Sequence, residues 1–286
     1  MADTIGQTDI RGENIERAVK GFALQEYKFK QVLLMQSSNN WTETYYRETA
    51  ADLTATGGTR TIKDVARGAT FPYVEPSWTK VQGVHTKFAA EGVIYMEDKL
   101  TDAIDVQART LLRVARAIAK STDAYIYTTL STASGINTAA AVATWNSATL
   151  ADRDPIRDIL TGIQYLAVDN YDALSNGYLL LSPLDYTNLL MNSKVINNPS
   201  FKTADVVSNG VVGQICGLKI IVSNNVTADQ AMIVIGQRAA TWKGAVSLKT
   251  ATIADEGIKY VVRAWEIGHI QVTDPEAIHV ITNTQA

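Results

Sequence analysis

Cysteine is nearly missing from this chain: Cys216 is the only one in 286 residues. That excludes an internal disulfide framework and a cysteine-built zinc site, and it fits assembly in a reducing compartment. Histidine is almost as scarce. His85, His269 and His279 are the three, none with a carboxylate or cysteine at a metal-ligand spacing, so surface or packing roles are expected. An excess of one charge is also lacking. With 26 basic and 29 acidic residues the net charge is -3, so no global field draws the chain to nucleic acid or an anionic membrane. No run approaches the ~18 apolar residues of a spanning helix. The polar start, MADTIGQTDIRGENIERA, has no signal-peptide core, and a soluble protein made in the cytoplasm is expected. Phosphate-loop, dinucleotide-binding and nucleophile-elbow signatures are absent.

Lesser features have ordinary explanations. Gly57-Gly58 reads as a loop tip, not a phosphate cradle. Asp152 and Asp154 could pose as a carboxylate pair, but Asp154 is already used as a helix cap. Cys216, beside a strand, is expected to be buried and inert. Asn40-Trp41-Thr42 and Asn225-Val226-Thr227 match glycosylation sequons, which matter only in secreted proteins. No catalytic constellation, cofactor or metal site is expected.

What is present centres on Ala89–Thr129. A short apolar run, Gly92 to Met96, leads through Glu97-Asp98 into the longest helical pattern of the chain. Ile104, Ala108, Leu111, Ala115, Ile118 and Thr122 recur at intervals of three and four, flanked by Leu112 and Ala119, and so share one face. Asp102, Asp105, Arg109, Arg113, Arg116 and Lys120 share the opposite face, acids first and bases last as the helix dipole favours. With Thr101 or Asp102 as N-cap, the helix should run about 28 residues, roughly 42 Å at 1.5 Å per residue. Such a length reads as a strut. Its basic stripe reads either as a solvated face paired with Asp102 and Asp105 or as a sequence-independent contact for phosphates. No aromatic residue interleaves it, so base stacking is not expected.

The rest of the chain falls into segments around that strut. Residues 1–40 carry a helical pattern on Ile15, Val19, Phe22, Phe29 and Val32-Leu33, too sparse to fold alone, and read as an arm lying on its own body or another subunit. Residues 41–95 begin with a Thr/Tyr-rich strand near 42–49 and pass through turn formers. They return as strands over Val84–Ala89 and Gly92–Met96, in a ribbon too poor in apolar residues to stand alone. A helix should start at Asp154-Pro155, burying Ile156, Ile159, Leu160, Ile163 and Leu166. A strand at Tyr178–Leu181, a helix capped by Ser182-Pro183, and strands at Gly217–Val222 and Ala231–Gly236 complete a compact α/β unit. Strands at 258–265, 268–273 and 277–282 close the chain.

This order of parts resembles the major capsid protein of tailed phages and related viruses, with the Hong Kong 97-type fold. Three stretches carry the likeness. KFAAEGVIYMEDKLTDAIDVQARTLLRVARAIAKSTDAYI is similar to the family's hairpin exit and spine helix. Gly213–Asn224 is similar to its glycine-led strand pair, and Pro275–Val280 to its final strand. The resemblance implies an α+β fold divided into an N-terminal arm (1–42), an extended β-hairpin loop (43–95), a peripheral domain with the spine helix (96–150), an axial α/β domain (151–253) and peripheral C-terminal strands (254–286). It implies a non-enzymatic shell subunit forming hexamers and pentamers of an icosahedral virion capsid around double-stranded DNA. Arg109, Arg113, Arg116 and Lys120 would face the lumen, and Arg60, Lys63, Arg67, Trp78 and Lys80 would contact a neighbouring subunit. Partners would be further copies of itself, packaged DNA bound non-specifically, and portal, separate scaffolding and decoration proteins, with no membrane. Because the arm begins almost at Met1, scaffolding is expected from a separate protein, and no cross-link through Lys63 or Lys80 is expected. The alternatives are an encapsulin-type shell around protein cargo and a soluble α/β enzyme.

Overall fold

A computed structural model describes residues 19, 27–48, 63–71, 78–101, 106–196, 213–255 and 257–286. After a 3-10 turn at Lys30–Val32 come strands β1 (Leu34–Ser37), β2 (Thr42–Glu48), β3 (Trp78–Val84) and β4 (Thr86–Tyr95). Helices α1 (Met96–Thr101) and α2 (Val106–Ser131) and strand β5 (Asn137–Ala140) follow. Then come α3 (Pro155–Val168), α4 (Ala173–Asn176), β6 (Gly177–Leu181), α5 (Pro183–Leu190) and α6 (Ser193–Ile196). Strands β7 (Gln214–Ile215), β8 (Leu218–Val222), β9 (Gln230–Ile235), β10 (Ala240–Asp255), β11 (Lys259–Val272) and β12 (Ile278–Thr282) end the chain.

Three sheets organise these elements. One has the order β1-β10-β11-β4, a second β5-β12-β9-β6-β8-β7, and the third is the β2-β3 ribbon. The two larger sheets share one continuous apolar core, which runs from Phe29 and Trp242 to Leu179, Ile233 and Val280. The expected unit boundaries therefore shift. Strand β4, expected within the extended loop, pairs along its whole length with β11, so the free ribbon ends at His85. Strand β10, expected in the α/β unit, joins β11 and β1. Strands β5 and β12, expected in the peripheral unit, complete the six-stranded sheet. The β4–β11, β1–β10 and β5–β12 partners lie far apart in sequence, and pairing rather than chain order decides membership.

The strut is present as α1 and the 26-residue α2; residues 102–105, with Ile104, Asp102 and Asp105, lie outside the described residues. Leu111, Ala115, Ile118 and Thr122 are buried as expected, on β4 and on β11, the strand of Val261 and Ile270. Beyond that the burial widens. Asp123, Ile126, Tyr127 and Leu130 are also buried, because the N-terminal segment crosses the far side of the helix there.

That crossing replaces the helix expected near Phe29 and Leu33. Asp123 accepts hydrogen bonds from the amides of Lys28 (2.8 Å) and Phe29 (3.4 Å), and Phe29 packs on Tyr127 with ring centroids 6.0 Å apart. Lys30 pairs with Glu266, which also accepts from the Tyr27 hydroxyl at 2.6 Å. With its amides engaged, the segment turns once and enters the sheet as β1, parallel to β10. Tertiary partners for the backbone outweigh helix propensity here.

Sequence-readable caps hold on both short helices. Asp154 accepts from the Arg157 amide ahead of Pro155, and Ser182 from the Asp185 amide ahead of Pro183. The face that α3 buries differs from expectation. On α3, Asp158 and Gly162 are buried with Ile159 and Leu166, while Leu160 is 51% exposed. Asp158 turns inward because it accepts from the Trp145 indole at 2.9 Å and the Val142 amide at 3.3 Å. A side chain at Gly162 would meet Ile233 at 2.7 Å and His279 at 2.8 Å, so glycine lets the helix sit close to the sheet.

Gly268 plays the same part under Trp242, which is only 1% exposed. A Cβ at 268 would lie 2.2 Å from the indole. Gly268→Ala should therefore destabilise the fold by about 1–3 kcal/mol, the usual range for overpacking a rigid core. Gly213→Ala, which meets nothing within 4 Å, should leave the melting temperature unchanged. Thermal unfolding of the two variants side by side checks this.

Candidate functional site

The β2-β3 ribbon has two unlike faces because side chains alternate along each strand. Glu43, Tyr45, Arg47, Val81 and Gly83 are partly or fully buried against the body, whereas Thr44, Tyr46, Trp78, Lys80 and Gln82 are exposed. On the docked face Glu43 accepts from Gln271 at 3.0 Å, and Arg47 donates to the Val272 carbonyl at 3.3 Å. Gly83 lies against His269; a Cβ there would stand 2.0 Å from the imidazole. The free face carries Tyr46 (58% exposed) and Trp78 (60% exposed), with ring centroids 6.2 Å apart. Lys80 stands directly across from Tyr46 in the register. Phe71, on the described stretch beyond the ribbon, is more exposed still at 81%.

Of the five expected loop contacts, the structure thus joins Trp78 and Lys80 on one face. Lys63 and Arg67 are exposed on the stretch with Phe71, and Arg60 lies outside the described residues. Tyr46 was missed. Its signal was available, since a Tyr two residues off the cross-strand position of a Trp is a strong ribbon pair.

A polar node anchors the ribbon root. Ser38 bonds Glu43, and the His85 imidazole lies 3.1 Å from the Ser38 hydroxyl. Tyr125 reaches His269 at 3.0 Å, and the two histidines meet edge to face at 6.2 Å. Burial lowers the pKa of His269, and His85 beside it adds to that lowering. His85 and His279 are buried at 4% and 1% exposure, so packing rather than surface describes them. His279 stacks on Tyr165 at 5.3 Å, and burial brings its pKa down to about 4. Cys216 is half-buried instead of buried, in the β7-β8 turn where it and Gly217 have φ of 49° and 81°; burial raises its thiol. Among the described residues no group of three or more His, Cys, Asp or Glu could hold a metal ion, and no helix is long and apolar enough to cross a membrane.

The second surface is the outer face of α2. Arg109, Arg113, Arg116 and Lys120 are all exposed there, in line as their spacing requires. The fold then divides them. Arg113 borders a groove of about 320 Å³ between α2 and the β4 stretch Ala90–Val93. Arg116 and Lys120 border a notch of about 250 Å³ that also takes in Lys28 from the N-terminal segment and Asn224 and Asn225 from the β8-β9 turn. Neither Lys28 nor the turn was expected there, because both are distant from α2 in sequence, one before it and one after.

Comparison with known proteins identifies the family and the fold. The family model described as phage capsid protein matches residues 86–281, more than half of the chain. Among curated proteins, none matches the chain in sequence. Among solved structures, the virus-like particle from Pyrococcus furiosus is 13% identical at a TM-score of 0.66, covering 94% of this chain and 98% of that one. The capsid of Cyanophage P-SCSP1u is 13% identical at 0.67, covering 91% and 90%. The Mycobacterium phage Che8 chain is 18% identical at 0.63, covering 86% of each. At such identities the likeness establishes the fold: an α+β capsid fold.

Proposed function

This chain belongs to the phage capsid protein family, and from that footing we propose that it assembles into hexamers and pentamers of an icosahedral shell around double-stranded DNA. The observation that carries the reading is the ribbon, with one face docked on its own body and the other presenting Tyr46, Trp78 and Lys80. Paired exposed aromatics beside a cation are what a protein–protein contact is built from. The surface this ribbon presents and the body it extends from are different, so a contact between copies is head-to-tail; where the rotation closes, such contacts make rings. Residues 1–42 act as the arm, the ribbon as the overlapping loop, the four-stranded sheet with α2 as the peripheral part, and the six-stranded sheet as the axial part. The exposed basic stripe faces the lumen and meets DNA through phosphates alone. Portal, scaffolding and decoration proteins are the further partners of a shell of this kind.

The role is structural and involves no catalytic step. A shell around protein cargo is the second reading, favoured by the likeness to a virus-like particle. Electron microscopy and size-exclusion of the purified full chain test the proposal. Closed particles, or rings of five and six, are expected, and a stable monomer at every concentration overturns it. Absorbance at 260 against 280 nm then separates enclosed nucleic acid from enclosed protein.

A further inference from the structure

We propose that the notch where the N-terminal segment crosses α2 is a phosphate-binding site, gripping the backbone of nucleic acid or a free phosphate ion. This rests on the reading of α2 as the lumen-facing helix. Three cations converge on it from two elements that are distant in sequence: Arg116 and Lys120 from α2, and Lys28 from the crossing segment. Asn224 and Asn225 add side-chain amides on the third wall.

The geometry is set by bonds that leave donors to spare. The Lys28 ammonium donates to the Val222 carbonyl at 2.7 Å, which fixes it at the wall and leaves two of its three hydrogens for a ligand. The Asn225 side chain donates to the Lys120 carbonyl at 3.3 Å, which ties the turn to the helix, and the Asn225 backbone N–H donates to the Ser223 hydroxyl at 3.2 Å, which holds the turn in shape. The one carboxylate in the lining, Asp123, spends its oxygens on the Lys28 and Phe29 amides. It therefore faces the segment with its lone pairs and leaves the cations a net positive field.

Size and composition select the ligand class. At about 250 Å³ the notch is smaller than the ~300–1,000 Å³ of pockets that enclose drug-sized molecules. It has room for a phosphate and a few waters at ~30 Å³ each. Among the described residues no aromatic side chain lines it, so these walls offer a base nothing to stack on. A phosphate bridging Lys28 to Lys120 also clamps the N-terminal segment to α2, which makes occupancy visible in the backbone.

The test uses the full chain with two probes, a labelled 20-base-pair duplex followed by anisotropy and inorganic phosphate followed by hydrogen exchange of residues 27–33. Lys28→Gln with Lys120→Gln should weaken duplex binding about tenfold or more at low salt and flatten the log–log salt slope by about two. Lys249→Gln, an exposed cation on β10 outside both the notch lining and the stripe, should weaken it less than twofold. Lys28→Arg, which keeps the charge, should bind as the parent does. Phosphate should slow exchange at residues 27–33 in the parent and not in the double variant. Protection by phosphate with unchanged duplex binding assigns the site to free phosphate. Parental behaviour of the double variant toward both probes overturns the proposal, as does an equal loss from Lys249→Gln, which would mean diffuse attraction to any surface cation. Shell formation is read separately by microscopy, where the double variant should assemble like the parent. Failure of the parent to assemble would count against the shell and not against the notch.

Discussion

A chain carrying Tyr46→Ala and Trp78→Ala should fold normally and fail to form shells. Both rings stand on the free face of the ribbon, at 58% and 60% exposure, so their loss removes no core packing. Surface substitutions of this kind change stability by roughly 0.5 kcal/mol or less. The ribbon stays attached through its other face, where Glu43–Gln271 and Arg47–Val272 remain. In an interface the same rings are the side chains whose truncation costs most, about 2 kcal/mol each, or roughly thirtyfold in a contact constant. A shell repeats that contact in every subunit, so the concentration needed for assembly rises steeply. Circular dichroism should match the parent while microscopy and size-exclusion show free subunits. Lys80→Ala, which removes a rim charge, should slow assembly with a smaller loss. Particles from the double alanine variant at the parent's concentration would remove the ribbon from the interface.

Acid titration should expose two buried groups that oppose each other. Burial lowers His279 from 6.5 to about 4, so below pH 6.5 the unfolded chain takes up a proton that the folded chain refuses. Stability is lost on that account as pH falls, by about 3 kcal/mol by pH 4 at ~1.4 kcal/mol per pH unit. Burial raises Asp123 from 3.8 to about 6 against the pull of the Lys28 and Phe29 amides. The folded chain therefore takes up its proton first, and stability is present below the unfolded value and lost as pH rises through about 6, again by ~3 kcal/mol. Both side chains are nearly inaccessible, at 1% and 2% exposure, so solvent screening does little to shrink either figure.

Between about pH 6 and 4 the two contributions cancel in the parent. Asp123→Asn should make the acid limb steeper than the parent's by most of 3 kcal/mol, and His279→Leu should make it shallower by a similar amount. Burial also raises Asp158 and Asp185 and lowers His269. Those groups remain in all three proteins and drop out of the differences. Urea unfolding at pH 4, 5, 6 and 7 for the parent and the two variants is the measurement. Parallel curves would mean that neither group titrates on its own in the folded chain. Asp123→Asn should in addition cost about 1–2 kcal/mol at pH 7, since an amide oxygen cannot serve both the Lys28 and Phe29 amides.

The features legible from sequence are those that depend on a few neighbouring residues. Helix α2 announces itself by apolar spacing, because a 3.6-residue period forces Leu111, Ala115 and Ile118 onto one side whatever they pack on. Asp154-Pro155 and Ser182-Pro183 mark helix starts because a cap needs only the next turn. The ribbon was visible as a stretch with too few apolar residues to stand alone. The line of Arg109, Arg113, Arg116 and Lys120 is a property of one helix and was readable in full.

Only the folded chain could say what each of these elements meets. Asp158 is buried because it accepts from Trp145 and Val142, 13 and 16 residues away, and His85 and His279 take packing rather than surface positions; no local rule names the groups around them. Residues 29–33 read as helix and became a segment strapped by Asp123 that turns once and leads into β1 on β10, since backbone amides take the partners tertiary structure offers. Membership of the two large sheets was assigned along the chain, whereas β1, β4 and β5 each join a strand more than 100 residues away. The Ala89–Thr129 strut shows the division most plainly. The spacing of its own residues placed Leu111, Ala115 and Ile118 on one face and the four bases in line on the other. That this basic face is closed off at one end into a notch, by Lys28 of the N-terminal segment and by the β8-β9 turn, was settled only when the whole chain packed around it.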